Sequence, residues 1–296
     1  MKELLCYSIG TINIQSIFDL TECVNLLNAE FSNNEINEVS PYYIEIVDSS
    51  LWSDTYLNHY TRRFVNPKTK HEKWHYGQNC IEKYLGCTIL QETNHYYIYV
   101  FDDVLMYSIL RNIISEILRS RILKTSVIAI HAALVSKENQ YKIIVGSKNS
   151  GKTSSVLYAY RNNWTIHTDE LLGIDPNGCI VCMQRCPALA ENTLKQYFAG
   201  YEKYQVANIY NITNHIQKRL LHIPMGAVNA DYNNIEQIIA LPHSANQFFM
   251  PGYEQRILQY NTILGEQKQM DVRPFFNSLV KKAIGVPICN LCGYIL

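Results

Sequence analysis

The chain has 296 residues, with 26 basic and 26 acidic side chains, 47% hydrophobic residues and 18% charged ones. This length buries most of its apolar surface in one large or two modest globular domains, which excludes a disordered or fibrous protein. A formal net charge of zero argues against nucleic acid or an anionic membrane as the main partner, because both select a basic surplus.

The start, Met1–Gly10, has no basic head, long apolar run or small-residue cleavage site, and no window reaches the roughly 18 apolar residues of a spanning helix. The expected location is the cytoplasm. The first hundred residues are rich in tyrosine, asparagine and β-branched residues. Strand-like runs at Tyr42–Val47, Cys87–Leu90 and His95–Phe101 predict a small β-rich N-terminal lobe over residues 1–102. Within it, Arg62 to Lys73 is basic, contains a proline and has little apolar content, which predicts an exposed loop carrying Arg62, Arg63, Lys68 and Lys70.

From Val104 to Leu123 the apolar residues Leu110, Ile113, Ile114, Ile117 and Leu118 fall at helical spacing, with Arg111, Ser115, Glu116 and Arg119 on other faces. A soft domain boundary is placed before this helix, near Asp103, so that residues 103–296 form the second domain. Two strand-like runs follow, Val127–Ser136 and Tyr141–Val145, joined by the polar Lys137–Gln140 as a hairpin, so the sheet is mixed. A helix is predicted over Thr153–Arg161, stopped at Asn162-Asn163. A strand over Trp164–Ile174, a turn at Asp175–Gly178 and a returning strand over Cys179–Met183 come next. Ile235–Leu241 reads as a strand and Phe275–Ile284 as a helix.

Nine cysteines, an odd number scattered through a chain that needs no covalent staples, read as free thiols. The C-x-x-C pairs Cys179/Cys182 and Cys289/Cys292 supply enough thiolates for a tetrahedral zinc site. A strand over Cys179–Met183, however, points Cys179 and Cys182 to opposite faces.

The segment between the second hairpin strand and its helix, Gly146-Ser147-Lys148-Asn149-Ser150-Gly151-Lys152-Thr153, matches G-x-x-x-x-G-K-[ST]. In this phosphate-binding loop the glycines let backbone N–H groups wrap phosphate oxygens, while the helix N-terminus adds its positive end. Chance produces this octamer in roughly one chain of this length in a hundred, and the strand–loop–helix context is the one its mechanism demands. The cofactor-binding set is therefore Gly146 to Thr153 with Ser154. Lys152 would neutralise the β- and γ-phosphates from a solvent-facing position, and the Thr153 hydroxyl would sit on Mg²⁺. Asp169 and Glu170 follow on the next strand, which in a helix-crossover unit returns beside the first, one carboxylate serving as base and the other holding the metal. Neighbours on a strand point oppositely, so a shared role requires a bend there. His131, after the apolar Val127–Ile130 run, reads by itself as a core residue or a catalytic one.

The ordered set Ile130-His131-Ala132-Ala133-Leu134-Val135, hairpin, phosphate loop and Trp164-Thr165-Ile166-His167-Thr168-Asp169-Glu170-Leu171 resembles the catalytic domain of the HPr kinase/phosphorylase family. It is more closely similar to the stand-alone HPr-kinase-like proteins found with ribosomally made peptide clusters, including lasso peptide kinases. The specific part covers about Val127–Met183. The resemblance implies an α/β fold of the phosphoenolpyruvate carboxykinase-like P-loop kind with a mixed sheet. It also implies ATP- and Mg²⁺-dependent phosphorylation of a serine hydroxyl. Carried over by position, the family's histidine falls on His131, its loop lysine on Lys152, its Mg²⁺-binding hydroxyl on Thr153 and its paired aspartates on Asp169, the proton acceptor, and Glu170. Asn149 stands where the family usually has glycine, and asparagine tolerates left-handed backbone better than most residues. No counterpart of the bacterial kinase's arginine-rich segment is present, so HPr is not the expected substrate. Lys218 and Arg219 resemble a basic pair in the stand-alone members and are candidate substrate contacts, with Arg185 and Arg256 as lesser ones.

The leading expectation is a kinase acting on a Ser/Thr hydroxyl of a peptide or small protein in a natural-product pathway, with homo-oligomerisation left open. A small-metabolite phosphotransferase or carboxykinase-like enzyme and a non-catalytic nucleotide-sensing module are the alternatives.

Overall fold

The computed structural model describes residues 4–31, 42–66, 71–84, 86–101, 105–126, 128–145, 151–210, 217–240 and 283–285. The chain divides into two compact units, residues 1–113 with 207–218, and residues 114–206 with 219–296. The division falls inside a helix rather than before it, and a later segment joins the first unit.

Alternating apolar residues build the first unit as one eight-stranded sheet: β1 (Leu5–Ile9), β2 (Ile12–Ser16), β3 (Tyr42–Asp48), β4 (Thr61–Asn66), β5 (His71–Tyr76), β6 (Asn79–Lys83), β7 (Cys87–Glu92) and β8 (His95–Val100). Their order is β1-β2-β3-β8-β7-β6-β5-β4, with β3 parallel to β2 and β8. Ile12, Ile14, Ile44, Ile46 and Ile98 point to one face and are fully buried. Helix α1 (Thr21–Phe31) packs along β1. Its backbone starts on the Asp19 carboxylate, which accepts from the Thr21 N–H at 2.9 Å, and Leu20, Val24, Leu27 and Phe31 supply its buried stripe.

The expected basic loop is mostly a hairpin. Arg62 to Asn66 lie in β4 and His71 to Lys73 in β5, paired antiparallel, while residues 67–70, with Lys68 and Lys70, lie outside the described residues, as does the Arg63 side chain. The charges are neutralised across strands, as a sheet edge allows: Arg62 pairs with Glu72 and lies over the Trp74 ring, and Lys73 reaches Glu82 at 2.6 Å. Composition alone reads this alternation as solvation.

Helix α2 (Met106–Thr125) runs across the division of the units. In the first unit its Arg111 makes a bidentate pair with Glu30 of α1, Nη2 to Oε1 at 2.6 Å and Nε to Oε2 at 2.8 Å, and the Tyr107 hydroxyl donates to Glu30 at 3.2 Å. No helix among the described residues is long and apolar enough to cross a membrane.

The second unit holds β9 (Ile128–Ile130), β10 (Ala132–Lys137), β11 (Gln140–Val145), α3 (Lys152–Arg161), β12 (Thr165–Thr168), β13 (Leu171–Ile174), β14 (Ile180–Met183), β15 (Ala188–Leu189) and α4 (Glu191–Tyr197). It continues through β16 (Gln205–Tyr210) and β17 (Gln217–Leu221), which straddle the division, to β18 (Ile235–Ala240) and β19 (Ala283–Gly285). A mixed sheet runs β12-β10-β11-β18-β19, a second β14-β13-β9, and β15 pairs with β17. The β10–β11 hairpin closes on Glu138 and Asn139, both with positive φ, the twist-matched two-residue turn. Both faces of the five-stranded sheet are buried. Ala133, Val135, Ile144 and Ile239 meet Val156 and Leu157 of α3, whereas Ala132, Leu134, Ile143, Val145 and Ile238 pack on Leu172 and Ile174. Burial on both faces explains why β10 and β11 read as continuous apolar runs.

Three expectations are corrected. β12 does not return beside β11: it pairs antiparallel with β10, and β18 takes the parallel place next to β11. The runs Val127–Ser136 and Trp164–Ile174 each break into two strands. Of the expected helix Phe275–Ile284, Ala283 and Ile284 form β19, parallel to β18, and residues 275–282 lie outside the described residues.

Glu30 and Arg111 are nearly sealed from solvent, their side chains 1% and 6% exposed. Glu30→Gln is therefore expected to cost about 3–5 kcal/mol in urea unfolding, because it removes the carboxylate charge that the buried guanidinium is paired with. Glu30→Leu combined with Arg111→Met should recover most of that loss.

Candidate functional site

Two neighbouring strands leave one sheet and enter another, and the chemistry-bearing residues sit at the crossings. β9 belongs with β13, and β10 belongs with β12. His131 occupies the break between β9 and β10, and Asp169-Glu170 the break between β12 and β13. The second break has a local cause in Thr168. Its hydroxyl donates to the Met183 carbonyl at 2.6 Å and accepts from the Glu170 and Leu171 N–H groups at 3.1 and 3.3 Å. A side-chain oxygen thus replaces ladder bonds, and the bend frees both carboxylates from opposite-facing strand geometry.

Lys152 opens α3 next to this bend. Gly151 precedes it with φ 93°, a left-handed backbone that favours glycine, and no side chain caps the helix. Residues 146–150, which include Gly146, Ser147, Lys148, Asn149 and Ser150, lie outside the described residues. Ser155 folds back on the Gly151 carbonyl through both its N–H and its hydroxyl, each at 2.9 Å. Unlike the expected solvent-facing lysine, Lys152 is 8% exposed. Its ammonium donates to His131 Nε2 at 2.7 Å, a route into the fold that spacing along the chain does not reveal.

The titration behaviour follows from this packing. Burial lowers the Lys152 pKa, with Asp169 and Glu170 opposing. Partial burial of the His131 ring and then the Lys152 ammonium hold it below the usual imidazole range, so it accepts from the lysine as a neutral ring, with a backbone hydrogen bond to Glu170. Burial pushes Asp169 up to about 6 against the pull of Lys152 and a hydrogen bond from Thr153. Its Oδ1 is buried with no partner among the described residues. Burial also works to raise Glu170, but Arg185, His131, Arg119 and Lys152 together hold it below the ordinary glutamate range.

Both Glu170 oxygens are engaged: Oε1 accepts from Arg119 Nη2 at 2.8 Å, and Oε2 lies 3.3 Å from Arg185 Nη1. Lys152, Arg119 and Arg185 face Asp169 and Glu170, and the exposed Glu116 lies 3.9 Å from Arg119 Nε, so three cations meet three carboxylates in and beside the cluster. Glu170, expected to hold the metal with Thr153, has both oxygens on arginines, which leaves Thr153 and the buried, unpartnered Asp169 oxygen as the groups a small hard cation would meet. Two protein oxygens suffice for Mg²⁺, which keeps waters and phosphate oxygens as its other ligands.

Helical spacing puts Arg119 off the apolar stripe of α2; only the fold carries it to Glu170. A second network also escaped the motif reading. His167 Nδ1–H donates to the Gly226 carbonyl at 3.0 Å, its Nε2 accepts from the Ser136 hydroxyl at 2.7 Å, and Gln184 adds a bond to the same carbonyl at 2.9 Å. Gly226 is required there, since a Cβ would stand 2.4 Å from Thr165 Cγ2. This network clamps β12 behind the bend.

The remaining candidates are not brought to the cluster by any contact described. Arg219 reaches Glu191 at 2.8 Å, Lys218 belongs to the other unit, and Arg256 lies outside the described residues. Cys182 donates to the His167 carbonyl at 3.4 Å, and burial pushes its thiol up to about 12. Cys179 is exposed, and Cys289 and Cys292 lie outside the described residues. Among the described residues no three His, Cys, Asp or Glu side chains gather around one metal position.

No protein-family model and no curated protein matches the chain.

Asp169 gives the site a measurable pH signature. Its pKa rises from 3.8 to about 6 on folding, so the native state binds the proton more tightly. The resulting stabilisation is full below about pH 3.8 and is lost as pH rises through about 6. Asp169→Asn does not titrate, so the stability of the variant relative to the parent should climb by on the order of 3 kcal/mol between pH 4 and pH 7. Thermal unfolding across that range tests this, and a constant difference would contradict the burial of this acid.

Proposed function

We propose that the chain is an ATP- and Mg²⁺-dependent kinase of the HPr-kinase-like P-loop kind, transferring phosphate to a serine or threonine hydroxyl on a peptide or small protein, in a ribosomal natural-product pathway. The observation that carries this reading is a buried lysine at the uncapped start of α3, directly after a left-handed glycine, facing an aspartate whose pKa lies near 6. The sequence Gly146–Thr153 and the resemblance of Val127–Met183 to that family supply the rest.

In this reading Lys152 and the α3 N–H groups hold the β- and γ-phosphates, since a helix N-terminus and an ammonium both favour anionic oxygen. His131 acts on Lys152, fixing the direction of its ammonium with a neutral nitrogen. Glu170 holds Arg119 and Arg185 beside the cluster, where their guanidiniums suit charge developing on the transferred group. The acceptor oxygen attacks the γ-phosphorus, the bond to the β-bridging oxygen breaks, ADP leaves, and the hydroxyl proton passes to Asp169. A pKa near 6 suits a base working close to neutrality. Mg²⁺ would be held by the Thr153 hydroxyl and phosphate oxygens, where it would neutralise phosphate charge and leave Asp169 to the proton.

Purified protein with ATP and Mg²⁺ should add roughly 80 Da, one phosphate, to a Ser- or Thr-bearing peptide, read by mass spectrometry over a panel of peptides and free hydroxy-metabolites. Efficient phosphorylation of a free metabolite with every peptide untouched would overturn the peptide acceptor. In calorimetry, Lys152→Ala should lose nucleotide affinity, and unchanged affinity in a folded variant would remove the phosphate site. Asp169→Asn should keep ATP binding and lose about 10²–10⁴-fold in turnover.

A further inference from the structure

In the first unit, the strands β1, β2, β3, β8 and β7 contain no lysine or arginine, yet they carry Glu45, Asp48 and Glu92. One face of these strands is the buried isoleucine layer. The registers set out the other. Asn13 stands beside Tyr43, Tyr43 beside His95 and His95 beside Glu92; one step along, Gln15 stands beside Glu45, Glu45 beside Tyr97 and Tyr97 beside Leu90. Further along the same face, Trp52 lies 5.1 Å from the Tyr99 ring, and the 49–59 segment adds Leu57 to that cluster. On this face Gln15, Tyr43 and Glu92 are exposed, Tyr43 by 44%, and Glu45, His95 and Tyr97 are half-buried between them.

The rings form a platform. His95 stacks on Tyr97 with centroids 4.2 Å apart and planes 7° apart, and Tyr43 lies 5.9 Å from His95. The Glu45 carboxylate is 3.6 Å from His95 Nε2. Burial, with Glu92 and Glu45 behind it, raises the Tyr97 pKa, so both carboxylates bear on that ring.

We propose that this patch docks an extended peptide segment carrying arginine side chains. Ring faces take guanidinium planes through their quadrupoles, and adjacent carboxylates pair with the same group. The two glutamates repel phosphate and acidic peptides, so the complementarity runs one way. The patch residues lie on four adjacent strands, which at about 4.8 Å spacing span about 14 Å, matching about four extended residues and exceeding what a single small cation needs. The surface is built from first-unit residues alone and stands apart from the kinase reading.

The test is fluorescence anisotropy with labelled six-residue peptides alternating alanine with arginine, glutamate or glutamine. The arginine peptide should bind, the glutamate peptide should bind at least about tenfold more weakly, and salt should weaken the arginine complex. The pair Glu45→Gln with Glu92→Gln should reduce affinity about fivefold to tenfold, and Tyr97→Ala about fivefold, each with an unchanged circular dichroism spectrum. Lys152→Ala should leave peptide affinity unaltered, which separates this surface from the nucleotide site. No binding of the arginine peptide, equal binding of all three peptides, or full affinity in the folded double variant would each overturn the proposal.

Discussion

The charge of Lys152 has to be accommodated inside the fold, and much of the second unit is arranged around that requirement. An ammonium taken out of water costs several kcal/mol unless lone pairs and opposite charge replace its hydration. Here the replacement is one neutral imidazole nitrogen at 2.7 Å and the field of two carboxylates. Continuous strands could not deliver these groups together, because their side chains alternate between faces. Both strands break, at His131 and at Asp169-Glu170, and the breaks lie on adjacent strands passing between the same two sheets.

Holding the breaks open requires bonds that the ladders no longer supply. Thr168 serves three of them through one hydroxyl, and behind it His167 ties β12 to Gly226 and to Ser136. His167 is buried and its pKa is lowered by that burial, so it works as a neutral group with one donor and one acceptor nitrogen, each matched to a fixed partner. The bend is thus enforced by short-range polar geometry set within an apolar double layer.

Around Lys152 the balance of charge is as informative as any single contact. Two arginines hold Glu170 ionised, while Asp169, walled in and less well served by cations, is poised to take a proton near pH 6. Two adjacent carboxylates therefore differ in their readiness to bind a proton because of what surrounds each, which is how one site divides acid–base work from electrostatic work. In the first unit the chemistry is of another kind. There, cross-strand ion pairs hold Arg62 and Lys73 near the β4–β5 edge, and strands farther across the same sheet present rings and carboxylates.

The left-handed Gly151, the helix after it and its stop at Asn162-Asn163 were legible in the sequence, because glycine backbone freedom, helix periodicity and left-handed asparagine are local properties. Asn163 does take positive φ, and the Trp164 N–H closes on the Ala159 carbonyl as such a stop requires. The twice-buried strands β10 and β11 were legible for the same kind of reason, as apolar runs bounded by polar turns. The basic segment from Arg62 to Lys73 was not, because its pairing depends on Glu72 and Glu82 standing opposite in a sheet. The breaks at His131 and Asp169-Glu170 were invisible as well, since an apolar run looks the same whether it stays in one sheet or crosses to another. Arg119 joined the cluster only through the fold: it lies 51 residues from Glu170 in the chain, and nothing in its helical spacing names its partner. Local chemistry was written in the residues; which charges meet, which proton is held and which lysine is dry were decided by tertiary packing, because burial and Coulomb interactions depend on distance in space rather than along the chain.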